Sequence, residues 1–142
     1  NAETGAERLL TPFEKVQVRV QGVSPVVRDR ILISVNNRDP RWHDVHSVDL
    51  ATGQLTPVLI NQGGYSGFLA DANLVIRGAV KATPDGGSQF FRVTNNVVEP
   101  TPTETIGMED ALTTSPAGFT IDGRTLFWLD SRNRNTAALI AQ

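Results

Sequence analysis

Apolar residues along this chain recur mostly at every second position, in short runs separated by turn residues. Val16, Val18 and Val20 alternate with Gln17, Arg19 and Gln21, the two-residue period of a strand with one face buried. Ile31-Leu32-Ile33-Ser34-Val35 is a β-branched run of the kind found in strands buried on both faces. Val45 to Leu50 and Leu55 to Ile60 flank Ala51-Thr52-Gly53, which predicts a hairpin. In that turn Asp49 is placed to accept backbone N–H bonds, and Gly53 to take a positive φ. The same grammar returns at Leu74 to Val80, where Pro84-Asp85-Gly86-Gly87 turns the chain into Phe90-Phe91-Arg92-Val93. It returns once more at Asp122-Gly123, which leads into Thr125 to Leu129, with Thr136 to Ala141 completing the unit. Helical composition is confined to Ala2 to Leu10 and Glu109 to Leu112.

The apolar centres at Leu32, Leu74 and Leu126 are 42 and 52 residues apart. Several short strands repeating at roughly 40–50 residues describe a propeller blade, a small antiparallel sheet that must stack on its neighbours to bury both faces. The expected fold is therefore all-β, a partial β-propeller of about three antiparallel blades. A lead-in over residues 1–10 precedes the propeller segment at 11–142, with blade units at about 14–60, 66–99 and 113–142. A β-sandwich built from similar hairpins is the competing architecture. Asn1-Ala2 reads as the scar of a cleaved expression tag, and the chain stops inside the apolar run Ala137 to Ala141. Both ends are expected to be those of a piece cut from a longer protein.

Composition narrows the functional classes. Hydrophobic residues make up 39% and charged residues 20%, with 12 glycines and 8 prolines, which fits a turn-rich globular chain. A net charge of -2 gives no basic face for nucleic acid. Arg28-Asp29-Arg30 interleaves its charges and reads as solvated surface. The absence of cysteine excludes disulfides, thiolate zinc sites and a cysteine nucleophile. It leaves the compartment open, with the cytoplasm slightly favoured over the periplasm. No apolar run reaches the ~20 residues that span a bilayer, and Asn1 to Glu7 has neither the basic nor the apolar region of a signal peptide.

Candidate chemistry is sparse. Gly64-Tyr65-Ser66-Gly67-Phe68 approaches a nucleophile elbow, but the second glycine falls one residue early and no helix is expected to follow. Ser66 is better read as part of the turn entering a blade. The two histidines lie in Trp42-His43-Asp44-Val45-His46. On a strand His43 shares a face with Val45 and Ser47, and His46 with Asp44 and Val48, so the imidazoles point apart and do not share a metal. His43 is expected to be hydrogen-bonded within the sheet or its entry loop. No phosphate-cradling glycine pattern occurs, and no metal or cofactor is expected. In Asp130-Ser131-Arg132-Asn133-Arg134-Asn135, Arg132 and Arg134 are the candidate substrate-facing residues, since paired guanidinium groups can clamp a carboxylate. An exposed hairpin tip is the plainer reading of the same loop.

Three segments taken together carry a family resemblance: Asn36 to Val45 leading into Val48-Asp49-Leu50-Ala51-Thr52-Gly53; Gly67-Phe68-Leu69-Ala70-Asp71 with Arg77 to Gly87; and Asp122-Gly123-Arg124-Thr125-Leu126 with Asp130-Ser131-Arg132. Over most of residues 11–141 the chain resembles the N-terminal propeller of prolyl-oligopeptidase-family serine peptidases, in the acylaminoacyl-peptidase and dipeptidyl aminopeptidase branch. The resemblance implies a seven- or eight-bladed propeller preceding an α/β-hydrolase domain that bears Ser, Asp and His. It also implies that the propeller limits access, admitting small peptides. No catalytic residue carries over, because nothing here matches the hydrolase domain. The implied partners are that domain and a peptide substrate, and the isolated fragment is expected to self-associate through its terminal blades. The alternative is a TolB-like propeller that acts as a binding or scaffold protein with no associated peptidase.

Overall fold

The computed structural model describes residues 3–142; Asn1 and Ala2, read above as a tag scar, lie outside the described residues. Among the described residues the chain is all-β, with twelve strands and no helix. The first sheet is a four-stranded meander of β1 (Val18–Gly22), β2 (Arg30–Asp39), β3 (Trp42–Asp49) and β4 (Leu55–Leu59), each antiparallel to the next. The second joins β5 (Gly67–Ala70), β6 (Ile76–Ala82) and β7 (Ser88–Thr94). Its outer position is shared by two short strands, β8 (Val97–Val98) and β9 (Glu104–Ile106), both paired with β7. The third contains β10 (Ser115–Phe119), β11 (Leu126–Asp130) and β12 (Ala138–Ala141).

These sheets stack in chain order and do not close into a barrel. Alternation along β7 sends Phe91 and Val93 into a core shared with Leu32, Val45 and Leu59 of the first sheet, and Phe90 into a core shared with Leu126 and Trp128 of the third. The second sheet is thus covered on both faces, which a two-layer sandwich does not provide. The leading strands are neighbours, β1 beside β5 and β5 beside β10. Sheets arranged in this way are consistent with three blades of a partial β-propeller.

Each seam has its own fit. Between the second and third sheets, Trp128 is 1% exposed and meets Phe90 edge-on, with ring centroids 5.2 Å apart. Gly78 makes room for that ring, since a Cβ there would lie 2.5 Å from the Phe90 edge. Between the first and second, Gln21 bridges the sheets, accepting from Ser34 Oγ at 2.7 Å and donating from Nε2 to the Phe68 carbonyl at 2.6 Å. The far face of the first sheet, with Ile33, Val35 and Val48, is capped by Leu10, Phe13 and Val16. Arg8 pins that lead-in by donating to the carbonyls of Leu50 and Ala51.

Several sequence expectations need correction. Leu74 is not on a strand: it is buried in the turn after β5 with φ 59°, and the strand begins at Ile76. The cause is Asp71, whose carboxylate accepts N–H bonds from Asn73 and Val75 and curls the chain through Leu74. Val16 precedes β1 and packs beneath the first sheet. Glu109 to Leu112 forms turns closed by bonds from Asp110 N to Gly107 O and from Thr114 N to Asp110 O, and the described part of the Ala2 to Leu10 stretch is likewise not helical. The expected hairpin is present: Asp49 accepts from the N–H groups of Ala51 and Thr52, and Gly53 has φ 78°.

Candidate functional site

The polar loops of interest gather at the edge of the stack where β6 ends. Ser66 sits there, just before β5, with both its N–H and its hydroxyl donating to the Val80 carbonyl. Its hydroxyl is therefore held by the sheet, and among the described residues no hydrogen bond joins a serine hydroxyl to a histidine ring. The histidines lie on β3 with alternating neighbours, His43 with Val45 of one core and His46 with Val48 of the other. The expectation of a hydrogen-bonded His43 is corrected for one atom: His43 Nε2 is buried without a partner, as is His46 Nδ1. Burial, with Arg19 nearby, holds the His43 imidazole below its ordinary pKa, so it rests neutral. Among the described residues no group of acidic or histidine side chains is placed to hold a metal ion.

Arg132 and Arg134 are separated by the geometry of their loop. The Arg132 guanidinium donates from Nε and Nη2 to Asp130, and from Nη1 to Glu104 at 2.8 Å. All three of its nitrogens are thus engaged within the chain. Its side-chain bonds to Asp130, together with the Arg132 N–H, lower the Asp130 pKa to about 2. The same guanidinium, reinforced by Gln142 Nε2, lowers that of Glu104 against the effect of burial. Behind the loop Ser131 is buried, its hydroxyl donating to Asp110 Oδ1 and lying 2.7 Å and 3.0 Å from the hydroxyls of Thr113 and Thr114. Arg134 stands exposed beyond this anchor, its backbone N–H bonded to the Ser131 carbonyl.

A second anchored loop was not anticipated. Asp44, with its side chain 2% exposed, accepts from Nε and Nη2 of Arg38 at 2.7 Å and 2.9 Å, and from the N–H of Asn61 at 2.7 Å. Burial pushes its pKa up, but the Arg38 and Asn61 bonds outweigh that and hold it below the ordinary value. Buried Asn61 in turn clamps Tyr65 through both its backbone N–H and its carbonyl. The segment from Asn61 to Tyr65 is therefore rigidly seated, with the Tyr65 ring against Phe68 and Phe91. Arg38 itself stays 43% exposed.

One sequence signal was available and unused. Asp39-Pro40-Arg41 after β2 folds as Asp130-Ser131-Arg132 does after β11: in each, the aspartate accepts from the arginine backbone N–H and from its Nε and Nη2. The two tripeptides occupy the end of the second strand in the first and third sheets, an internal repeat written as Asp-x-Arg.

No protein-family model matches the chain, and no solved structure matches it. Among curated proteins, the chain is 45% identical over 140 residues to dipeptidyl aminopeptidase BIII of Pseudoxanthomonas mexicana. That alignment takes in 98% of this chain but 20% of the relative, so the chain spans about one fifth of the peptidase it matches. At this identity it is homologous to a part of a peptidase.

Proposed function

We propose that this chain is a non-catalytic propeller segment of a serine peptidase-like hydrolase, filtering or orienting peptide substrates for a separate α/β-hydrolase domain of a longer protein. The observation that carries the reading is the 45% identity to one segment of a dipeptidyl aminopeptidase, extending over nearly the whole chain. The stacked-sheet architecture supports it, and so does the commitment of Ser66 and Ser131 to hydrogen bonds without histidine. In this role Arg134, exposed on its anchored loop, is the better placed of the two candidate arginines to meet a peptide carboxylate. Arg132 holds that loop in position.

The test is made on the full-length protein, with a chromogenic dipeptide substrate and a series of peptides of increasing length. The expected result is turnover of the dipeptide, with rates that fall steeply as length increases. Trp128→Ala, which loosens the seam between the second and third sheets, should raise the rate on long peptides relative to short ones. Length-independent cleavage would remove the filtering role. A full-length protein without peptidase activity would leave the binding or scaffold alternative.

A further inference from the structure

We infer that the cleft between the second and third sheets is a binding site for a carboxylate carried on an aromatic or aliphatic body. The cleft encloses about 550 Å3, within the range of small-ligand pockets. Its inner wall is the open end of the Trp128 seam, where Phe90 and Leu126 pass from the core into the cleft and Phe119 faces them. These side chains offer an apolar surface that a simple inorganic anion would not use.

The charged groups around it sort into committed and uncommitted ones. Arg77 donates from Nε to Asp71 Oδ2 at 2.8 Å, and that carboxylate is fully buried. Glu104 is occupied by Arg132 and Gln142. Glu99 accepts from the Thr94 hydroxyl and keeps its negative charge, among the described residues the one carboxylate of the lining without a basic partner. Two guanidinium groups remain. Arg92 is exposed, and among the described residues its side chain has no hydrogen-bond or ion-pair partner. Arg124 is 86% exposed, and its one carboxylate neighbour, Asp122, is 4.0 Å away and itself 60% exposed.

The position of Arg124 is imposed by the fold. Gly123 turns the chain with φ 68° while pressed onto Asp71, where a Cβ would lie 2.7 Å from Oδ2. The turn from the third sheet is thereby seated on the buried Asp71 carboxylate, which the half-exposed Arg77 of the second sheet holds, and Arg124 is delivered to the cleft rim. Arg92 reaches the same cleft from β7, two residues beyond Phe90 and so on the same face of the strand. Two guanidinium groups beside an apolar wall, one without an ion-pair partner among the described residues and one with only a long, solvent-exposed contact to Asp122, match a carboxylate on an apolar body, because each part of such a ligand meets its complement. This inference rests on the cleft alone and is independent of any peptidase role.

The test is a titration of the isotope-labelled chain followed by nuclear magnetic resonance. The ligands are hydrocinnamate, its amide, inorganic phosphate, and a tripeptide ending in phenylalanine with a free or amidated C-terminus. Hydrocinnamate should shift the resonances of Arg92 to Thr94 and Gly123 to Leu126. Its amide should bind at least about tenfold more weakly, as expected for the loss of charge-assisted hydrogen bonds. Arg92→Gln and Arg124→Gln should each weaken hydrocinnamate without altering the rest of the spectrum, and Arg92→Lys should retain part of the affinity. Tighter binding of the free-ended tripeptide than of hydrocinnamate would identify a peptide end as the source of the carboxylate, and the reverse order a small free acid. Equal binding of acid and amide, insensitivity to both Gln variants, phosphate binding as tight as hydrocinnamate, or no localised shifts would each overturn the inference.

Discussion

Replacing Asp44 by alanine should destabilise the chain far more than replacing Asp39, although both carboxylates pair with arginine and both have lowered pKa values. Asp44 is 2% exposed and holds three hydrogen bonds, two from Arg38 and one from the buried Asn61 N–H. Its removal lets the half-exposed guanidinium rehydrate but strands the Asn61 N–H, and with it the clamp on Tyr65. Charge-assisted bonds are worth about 1.5–3 kcal/mol each, and an orphaned buried donor costs about 1–3 kcal/mol. Because Arg38 recovers water, the losses do not sum fully, and about 3 kcal/mol is expected, at the lower end for breaking a buried pair. For a domain of this size that corresponds to a fall in Tm of roughly 10 °C. Asp39 pairs with an Arg41 that is 75% exposed, where solvent and side-chain entropy offset the attraction, and loses besides only the bond from the Arg41 backbone N–H, so its alanine variant should fall in Tm much less than the Asp44 variant. Thermal and urea unfolding of both variants, followed by circular dichroism, provides the comparison. Equal melting temperatures for the two variants would refute the claim that burial, not pairing, sets the contribution.

Other expectations follow from the seams and the loops. Trp128→Ala should cost about 3–5 kcal/mol in urea unfolding, the usual range for emptying a large aromatic site. Gly123→Ala should destabilise the fold, because a left-handed φ of 68° and a contact with Asp71 both oppose the new methyl; a melting temperature equal to wild type would contradict this. Asp130 has its pKa lowered from 3.8 to about 2 by Arg132, so its contribution to stability is present above about pH 4 and is lost as pH falls toward 2. An Asp130→Asn variant should accordingly show a flatter acid limb in a pH series of melting temperatures. Leu129 and Leu139, opposite one another on the uncovered face of the third sheet, are 44% and 66% exposed, and light scattering across a concentration series should detect self-association that Leu139→Lys reduces.

What could be read from the sequence was local. The hairpin at Asp49 to Gly53 is set by side chains within four residues of one another, so its turn chemistry is written where it acts. The failure at Leu74 has the opposite cause. A run of apolar residues looks the same to a two-residue period whether it enters a strand at once or after a turn, and the deciding carboxylate, Asp71, lies outside the run. Glu109 to Leu112 has the composition of a helix but too few residues to repay nucleation, and short turn bonds win. The network of Arg38, Asp44 and Asn61 was out of reach for a different reason: its members are separated by up to 23 residues, and only the pairing of β2, β3 and β4 brings them together. The capping of the first sheet by Leu10, Phe13 and Val16 is likewise tertiary. It covers the outer face of the first sheet over β2 and β3 but not over β1, where Val18 and Val20 on the same face stay 38% and 67% exposed.

Apolar seams alone would not fix how the sheets sit on one another, because hydrophobic contact is non-directional and tolerates sliding. Each seam in this chain carries a directional contact that removes that freedom. Gln21 ties Ser34 of the first sheet to the Phe68 carbonyl of the second, and Arg132 of the third reaches Glu104 of the second. Gly123 adds a steric stop against Asp71. Such contacts add little net stability, because each replaces hydrogen bonds to water, but a displaced register would leave Gln21, Glu104 or Arg132 unpaired at a partly buried position. The penalty falls on the misaligned state.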